Sequence, residues 1–166
     1  MIRILTVLLC VGGILFGQEN KAGASAKYFK LDFTVKELES GKILNSRSYS
    51  LSIISSPEMG GAANGAVRAG EKIPVVFGSQ AANQIDVGVN IDCRSAKEVG
   101  DRLGMNISAE ISSIAPSLEK TLPVVRQTRM NSFILIPLRK STLIFSSDEP
   151  ASKGQLQIEL MATPLN

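Results

Sequence analysis

Several stretches of the chain alternate strictly between apolar and polar residues. The clearest is "DVGVNIDCR" at 86–94, where one side carries Val87, Val89, Ile91 and Cys93. A period of two is typical of a β-strand with one buried face. The same alternation recurs at 29–36, 48–53, 103–111 and 156–162. The pattern therefore predicts a β-protein.

Shorter or less regular apolar stretches at 71–78, 124–138 and 141–147 predict further strands, separated by Gly, Pro and Ser. About eight strands with turn signals between them favour an all-β fold. We expect an antiparallel two-layer β-sandwich or a partly open barrel, preceded by a signal-peptide helix. Pro74 indicates an edge strand or a strand end. The run 133–136, apolar on both faces, predicts central burial or a covering layer.

Several segments are predicted to lie outside the strands. Residues 55–70 are rich in Gly, Ala and Ser, and residues 115–123 are bracketed by Pro116 and Pro123. Both compositions predict loops, and 95–101 predicts a turn.

The first two strands are predicted to form a hairpin. A two-residue loop at Ser40–Gly41 would place Phe33 opposite Ser48, so an apolar residue would share a face with a serine. A three-residue loop, 39–41, instead places Leu31 opposite Tyr49 and Phe29 opposite Leu51. Its third residue is left-handed, which suits Gly41. We therefore expect the three-residue loop.

The N-terminus carries Arg3 and then an apolar run from 4 to 16. This is typical of a secretory signal peptide, because a membrane span needs roughly 20 apolar residues. An uncleaved anchor is the alternative. Cys10 lies inside the run after Leu9, which does not fit a lipobox. We expect a signal peptide at 1–17, a flexible leader at 18–27 and one all-β domain at 28–166.

Composition narrows the class of partner. The chain has a net charge of +3, and its basic residues are scattered. A nucleic-acid-binding protein would concentrate them on one face. We therefore expect no nucleic-acid partner. The predicted signal peptide indicates an exported protein, located in the periplasm, at the outer membrane or outside the cell.

Once the signal peptide is removed, Cys93 has no cysteine to pair with. Such a residue is either a reactive thiol or a small buried hydrophobe. Its phase with Val89 and Ile91 favours a buried thiol.

Candidate chemistry is sparse. The chain contains no His, which excludes the Ser-His-Asp and Cys-His mechanisms. "SLEK" at 117–120 matches the S-x-x-K of serine acyl-enzymes, but that motif needs a helix and this segment is a predicted loop. Asp86, Asn90 and Asp92 share a strand face, for which a solvated surface is favoured over a calcium site. "MGGAANG" at 59–65 lacks the Lys of a phosphate-binding loop. We expect no catalytic residues, cofactor or metal.

An ordered series of motifs resembles the C-terminal domain of secretins, the outer-membrane ring proteins of type II secretion and type IV pilus systems. The stretches are "RAGEKIPVVFGSQ", "DVGVNIDCR", "LGMNISAEISSIA", "PVVRQTRMNSFILIP" and "QLQIELMATP". The matching positions are Gly70, Pro74, Val87, Gly88, Glu110, Ser112, Ser113, Arg129 and Ser132. The family's "V-x-G-G-L" and "P-L-L-G-D-I-P" stretches and its N-terminal ring-building domains are not found. The resemblance implies a secretin-like β-fold and no catalytic residue.

Three functions remain open. The first is a non-enzymatic β-domain of the bacterial cell envelope that contacts protein partners or itself through strand edges or loops, with 55–70, the Pro74 strand and 115–123 as contact elements. The second is a secretin-type protomer that forms an outer-membrane ring for protein secretion or pilus passage. The third is a serine acyl-hydrolase using Ser117 and Lys120.

Overall fold

The computed structural model describes residues 26–55, 65–75, 83–115, 124–148 and 153–165. All eight regular elements of this part are strands. They are β1 (Lys27–Glu39), β2 (Lys42–Ser55), β3 (Gly65–Val75), β4 (Asn83–Val99), β5 (Arg102–Ala115), β6 (Val124–Pro137), β7 (Thr142–Asp148) and β8 (Gly154–Leu165). The predicted signal peptide, most of the leader, and the segments 56–64 and 116–123 lie outside the described residues.

The strands form two sheets of four. The first sheet has the order β2-β1-β8-β7 and the second has the order β3-β4-β5-β6. Every neighbouring pair within a sheet is antiparallel. The predicted all-β, two-layer antiparallel fold is confirmed.

The two sheets pack face to face around one apolar core, because alternate residues of each strand point inward. The first sheet contributes Phe29, Leu31 and Phe33, each fully buried. The second sheet contributes two stripes from its central strands, β4 and β5: Val89, Ile91, Cys93, Leu103, Met105, Ile107, Ala109 and Ile111. The alternation at 86–94 is thus the inner face of a central strand.

The two sheets also meet at their margins. A Cβ on Gly65 at the start of β3 would lie 2.6 Å from Leu51 and 2.7 Å from Ile53 of β2, so this glycine permits close contact. At the opposite margin, the backbone N–H of Arg139 donates to the carbonyl of Ala162 at 2.7 Å. The Lys27–Glu98 ion pair joins β1 to β4.

The predicted register of the first hairpin is wrong. The turn has two residues, Ser40 and Gly41, with φ angles of 49° and 79°. Leu31 lies opposite Leu51, and Phe33 lies opposite Tyr49. A β-bulge near Leu38 adds one residue to β2, and this restores the apolar phase that a two-residue turn would otherwise disturb.

Two predicted irregular segments are strands. Residues 65–70 belong to β3, and residues 95–99 belong to β4. Small residues favoured a loop at 65–70, but these positions pair with Gly88 to Cys93 along the edge of the second sheet. At 95–99 a bulge lets β4 continue, with Ser95 at a φ of 57°.

The predicted central burial of 133–136 is also wrong. β6 is an edge strand of the second sheet. Phe133 is 64% exposed and Leu135 is 45% exposed, whereas Ile136 is buried. The apolar run therefore marks an outward-facing apolar surface and not a covered strand.

Candidate functional site

The nine motif positions all lie in the second sheet. They are Gly70 and Pro74 on β3, Val87 and Gly88 on β4, Glu110, Ser112 and Ser113 on β5, and Arg129 and Ser132 on β6. Five of these residues form cross-strand contacts described below. The remainder are distributed along the strands.

Gly70, Gly88 and Ser112 form one cross-strand row. Gly70 lies opposite Gly88, and Gly88 lies opposite Ser112. Gly88 has a φ of 147°, and a Cβ there would lie 2.5 Å from the Cα of Gly70. Its N–H donates to the Ser112 hydroxyl at 3.0 Å. The row therefore depends on two glycines at a close approach of the β3 and β4 backbones, with a serine side chain binding the distorted strand.

Charged side chains on the outward face of the second sheet are paired across strands. Arg129 contacts Glu110 at 2.8 Å, and Arg68 contacts Asp92 at 2.7 Å. Lys72 lies 3.8 Å from Asp86. These pairs occupy two of the three residues considered as a calcium site, Asp86 and Asp92. In the described part of the chain, no three His, Cys, Asp or Glu side chains come together as a metal site.

The second sheet ends in two edges. Pro74 lies on the edge strand β3, where the missing N–H of proline is tolerated. Ser132 lies on the edge strand β6; its position in the alternation points inward, yet it is exposed. The edges run in opposite directions, because three successive antiparallel pairings separate them.

An open cleft of about 580 Å³ lies where the two sheets diverge between β2 and β3. Arg47 and Tyr49 line it from β2, and Glu71 and Ile73 line it from β3. Arg47 donates to Glu37 at 2.9 Å and so is already paired. The cleft is a gap between two sheet edges with mixed polar and apolar walls.

Cys93 is 1% exposed and packs in the core. Burial, with a smaller contribution from the Asp92 charge, raises the pKa of its thiol to about 12. A thiol in this environment is protonated at neutral pH, and the thiolate is the nucleophilic form.

Gly41 occupies the left-handed second position of the β1–β2 turn. Ser117, Lys120 and Cys10 lie outside the described residues.

The comparisons with known proteins concern the fold. No protein-family model matches the chain, and no curated protein matches it in sequence. The chain resembles secretin domains in their solved structures. The InvG secretin of the Salmonella SPI-1 injectisome has a TM-score of 0.49 and 11% identity, over 85% of this chain and 64% of that one.

Two further secretins give similar values. The type II secretin GspD of enteropathogenic Escherichia coli has a TM-score of 0.47 and 11% identity, over 85% of this chain and 66% of that one. XcpQ of Pseudomonas aeruginosa has a TM-score of 0.42 and 13% identity, over 84% and 56%. The predicted resemblance is confirmed, and this chain spans two thirds or less of each of these structures.

The described residues include no helix long and apolar enough to cross a membrane.

Proposed function

We propose that this protein is a non-enzymatic, exported, secretin-like β-domain of the bacterial cell envelope. In this proposal, residues 1–17 direct export and are removed, and the all-β domain at 28–166 acts as an assembly module. Its mechanism is strand addition at the edges of the second sheet.

The observation that supports this proposal is the pair of long edges on the second sheet. β3 is 11 residues long and β6 is 14 residues long, and each pairs with only one strand of its own sheet. An edge strand presents a row of unpaired N–H and C=O groups that can bind another strand. Because β3 and β6 are antiparallel, β3 of one copy can pair with β6 of the next and continue the same sheet.

The β6 edge has few of the features that prevent such pairing. Its only proline is the terminal Pro137, and it pairs with β5 without a bulge. Val124 at one end is 53% exposed. Natural sheets usually protect a long edge with an internal proline, a bulge or an inward-pointing charge. Those features are not present along the middle of β6, which favours its use as an interface.

Repeated pairing of β3 with β6 is a head-to-tail contact, and such contacts generate rings when the rotation closes. This favours the second candidate, a ring-forming, secretin-type protomer of the outer membrane. The two candidates differ in the size of the assembly and in its need for a membrane or detergent.

The test is the mass of the protein by light scattering, measured both without detergent and after extraction of envelopes. We expect oligomers, and large detergent-resistant ones if the protein forms a ring. Ser132→Lys places an inward-pointing charge on the β6 edge and should shift the mass to that of a monomer.

Ser146→Lys is the control, because it places the same charge on the outward face of β7, an edge strand of the other sheet. It should leave the assembly unchanged. A monodisperse monomer under all conditions, or equal effects of the two lysines, would contradict assembly through β6.

A further inference from the structure

A bulge in β4 changes which side chains reach the outward face of the second sheet. Arg94 lies opposite Asn106, and Lys97 lies opposite Gly104, so three steps along β4 match two along β5. In a regular strand, residues three apart point to opposite faces. The bulge places Arg94 and Lys97 on the same outward face, and Ala96 between them is buried.

Exposed apolar side chains occupy the same rows. Phe133 lies opposite Asn106, and Leu135 lies opposite Gly104. The Phe133 ring lies above Gly104, where an added Cβ would be 3.0 Å from the end of the ring. Val99, 53% exposed, lies opposite Arg102 in the adjacent row. We call this set the basic–apolar patch: Arg94, Lys97, Val99, Arg102, Phe133 and Leu135.

The cations of the patch differ from the other basic residues of this face. Arg68 and Arg129 are held by carboxylates within 3 Å. Within the described residues, Arg94 and Lys97 have no carboxylate within ion-pair distance, and Arg102 has only Asp101, at 4.0 Å and 92% exposed. The patch thus combines three cations that are weakly paired or unpaired with three solvent-exposed apolar side chains.

We propose that the basic–apolar patch docks on the surface of a membrane that contains anionic phospholipids. Such a surface places phosphate groups directly above an apolar layer, so it complements cations that flank exposed Phe, Leu and Val side chains. The patch projects from the pleated face of a sheet, and this shape fits an extended surface. This function goes beyond assembly through strand edges, because it uses outward-facing side chains of the second sheet and not the backbone hydrogen-bonding groups of its edge strands.

The outward face of the first sheet provides an internal comparison. Lys36 contacts Glu159 and Lys30 contacts Asp32, so both of these lysines are neutralised locally. Tyr28 on that face is 51% exposed, similar to the apolar residues of the patch. Exposed aromatic surface alone would therefore not distinguish the two faces, whereas unpaired positive charge does.

The chain contains no Trp, so a single introduced Trp reports the surroundings of one position. Phe133→Trp places the reporter in the patch, and Tyr28→Trp places it on the opposite sheet. With phosphatidylglycerol vesicles, we expect the emission of the Phe133→Trp protein to shift to shorter wavelength and to be quenched by brominated lipid. The Tyr28→Trp protein should show neither change. The apolar run 4–16 is common to both proteins, so it cannot produce a difference between them.

The charges are tested in the Phe133→Trp protein. Arg94→Ser with Lys97→Ser should lower the vesicle partition constant about 25-fold, since each cation near an anionic surface contributes about fivefold. The matched control is Lys42→Ser with Lys153→Ser, which removes the same charge from exposed sites elsewhere and should have little effect. High salt should weaken binding by screening.

Several results would overturn the proposal. They are no emission shift for the Phe133→Trp protein, an equal shift for the Tyr28→Trp protein, equal binding to phosphatidylcholine vesicles, and equal losses for the two charge pairs. A shift with polyglutamate but not with vesicles would assign the patch to an acidic protein segment instead. Circular dichroism and the unfolding midpoint establish that each variant is folded. Vesicle binding is measured by Trp emission and strand pairing by the mass of the protein, so the failure of one proposal is distinguishable from the failure of the other.

Discussion

At the scale of single residues, Gly88 is the most constrained position in the second sheet. Its φ of 147° is a conformation that residues with a side chain rarely adopt. A Cβ there would collide with the carbonyl of Ala69 and lie 2.5 Å from the Cα of Gly70. The constraint comes from two backbones, and a rotamer change cannot relieve it.

We expect Gly88→Ala to lower the free energy of unfolding by about 2–5 kcal/mol, from backbone strain together with overpacking. Gly100→Ala is the control. Gly100 also has a positive φ, 62°, but nothing lies within 4 Å of its added Cβ. That variant should lose only about 1–2 kcal/mol, the cost of the left-handed conformation. Urea unfolding measures both, and equal losses would show that the close approach of β3 and β4 is not as described.

At the scale of strands, apolar alternation predicted the existence of elements better than their registers. The strands at 86–94 and 156–162 were found because each keeps one phase throughout. The first hairpin and the 95–101 segment were misjudged because each contains a bulge. A bulge shifts the phase by one residue, and the sequence on either side still looks regular. The bulge in β4 includes Ser95, a non-glycine residue at positive φ. Such a residue cannot be recognised from the sequence alone.

The ion pair between β1 and β8 determines part of the acid stability of the first sheet. The hydrogen bond from Lys36 and a weaker one from Ser141 lower the pKa of Glu159, against the effect of burial. A hydrogen bond from Ser50, with help from Lys30, similarly lowers the pKa of Asp32. A lowered folded-state pKa means that the folded protein binds fewer protons than the unfolded chain. This stabilisation is therefore complete above the ordinary carboxyl pKa and is lost as the pH falls through the lower folded-state value.

We expect Glu159→Gln to reduce stability at neutral pH and to flatten the loss of stability as the pH falls below the ordinary pKa of a glutamate, because the pKa of Glu159 is lowered by the hydrogen bond from Lys36. Glu71→Gln, at an exposed site on β3, should keep the wild-type slope. Thermal midpoints measured from neutral to acidic pH test this. An unchanged acid slope in the Glu159→Gln protein would mean that the Lys36 contact contributes nothing to stability.

At the scale of the whole molecule, Cys93 reports the integrity of the sandwich. It lies on β4, a central strand, and its inner side faces the core shared by both sheets. A reagent reaches the thiol only when the sheets separate, and the pKa of about 12 keeps little of it as thiolate.

We therefore expect Cys93 to resist thiol reagents in the native protein and to react at the rate of unfolding when urea is added. Mass mapping of the labelled peptide distinguishes it from Cys10. Ser52→Cys, exposed on β2, is the positive control and should react at once. Rapid native labelling of Cys93 would show that the two sheets open without global unfolding.

The local pattern of residues was sufficient for most of the strands, their inner faces and the all-β class, because the side of a strand on which a residue lies depends only on its position in an alternating stretch. The secretin resemblance likewise came from short motifs along the chain. Three features depended on contacts between distant segments: the grouping of strands into two sheets, the position of β6 at an edge, and the union of Arg94, Lys97 and Phe133 on one face. Strand order and bulge position are set by hydrogen bonds between segments far apart in sequence, and for this reason a run such as 133–136 looked central although it lies at an edge.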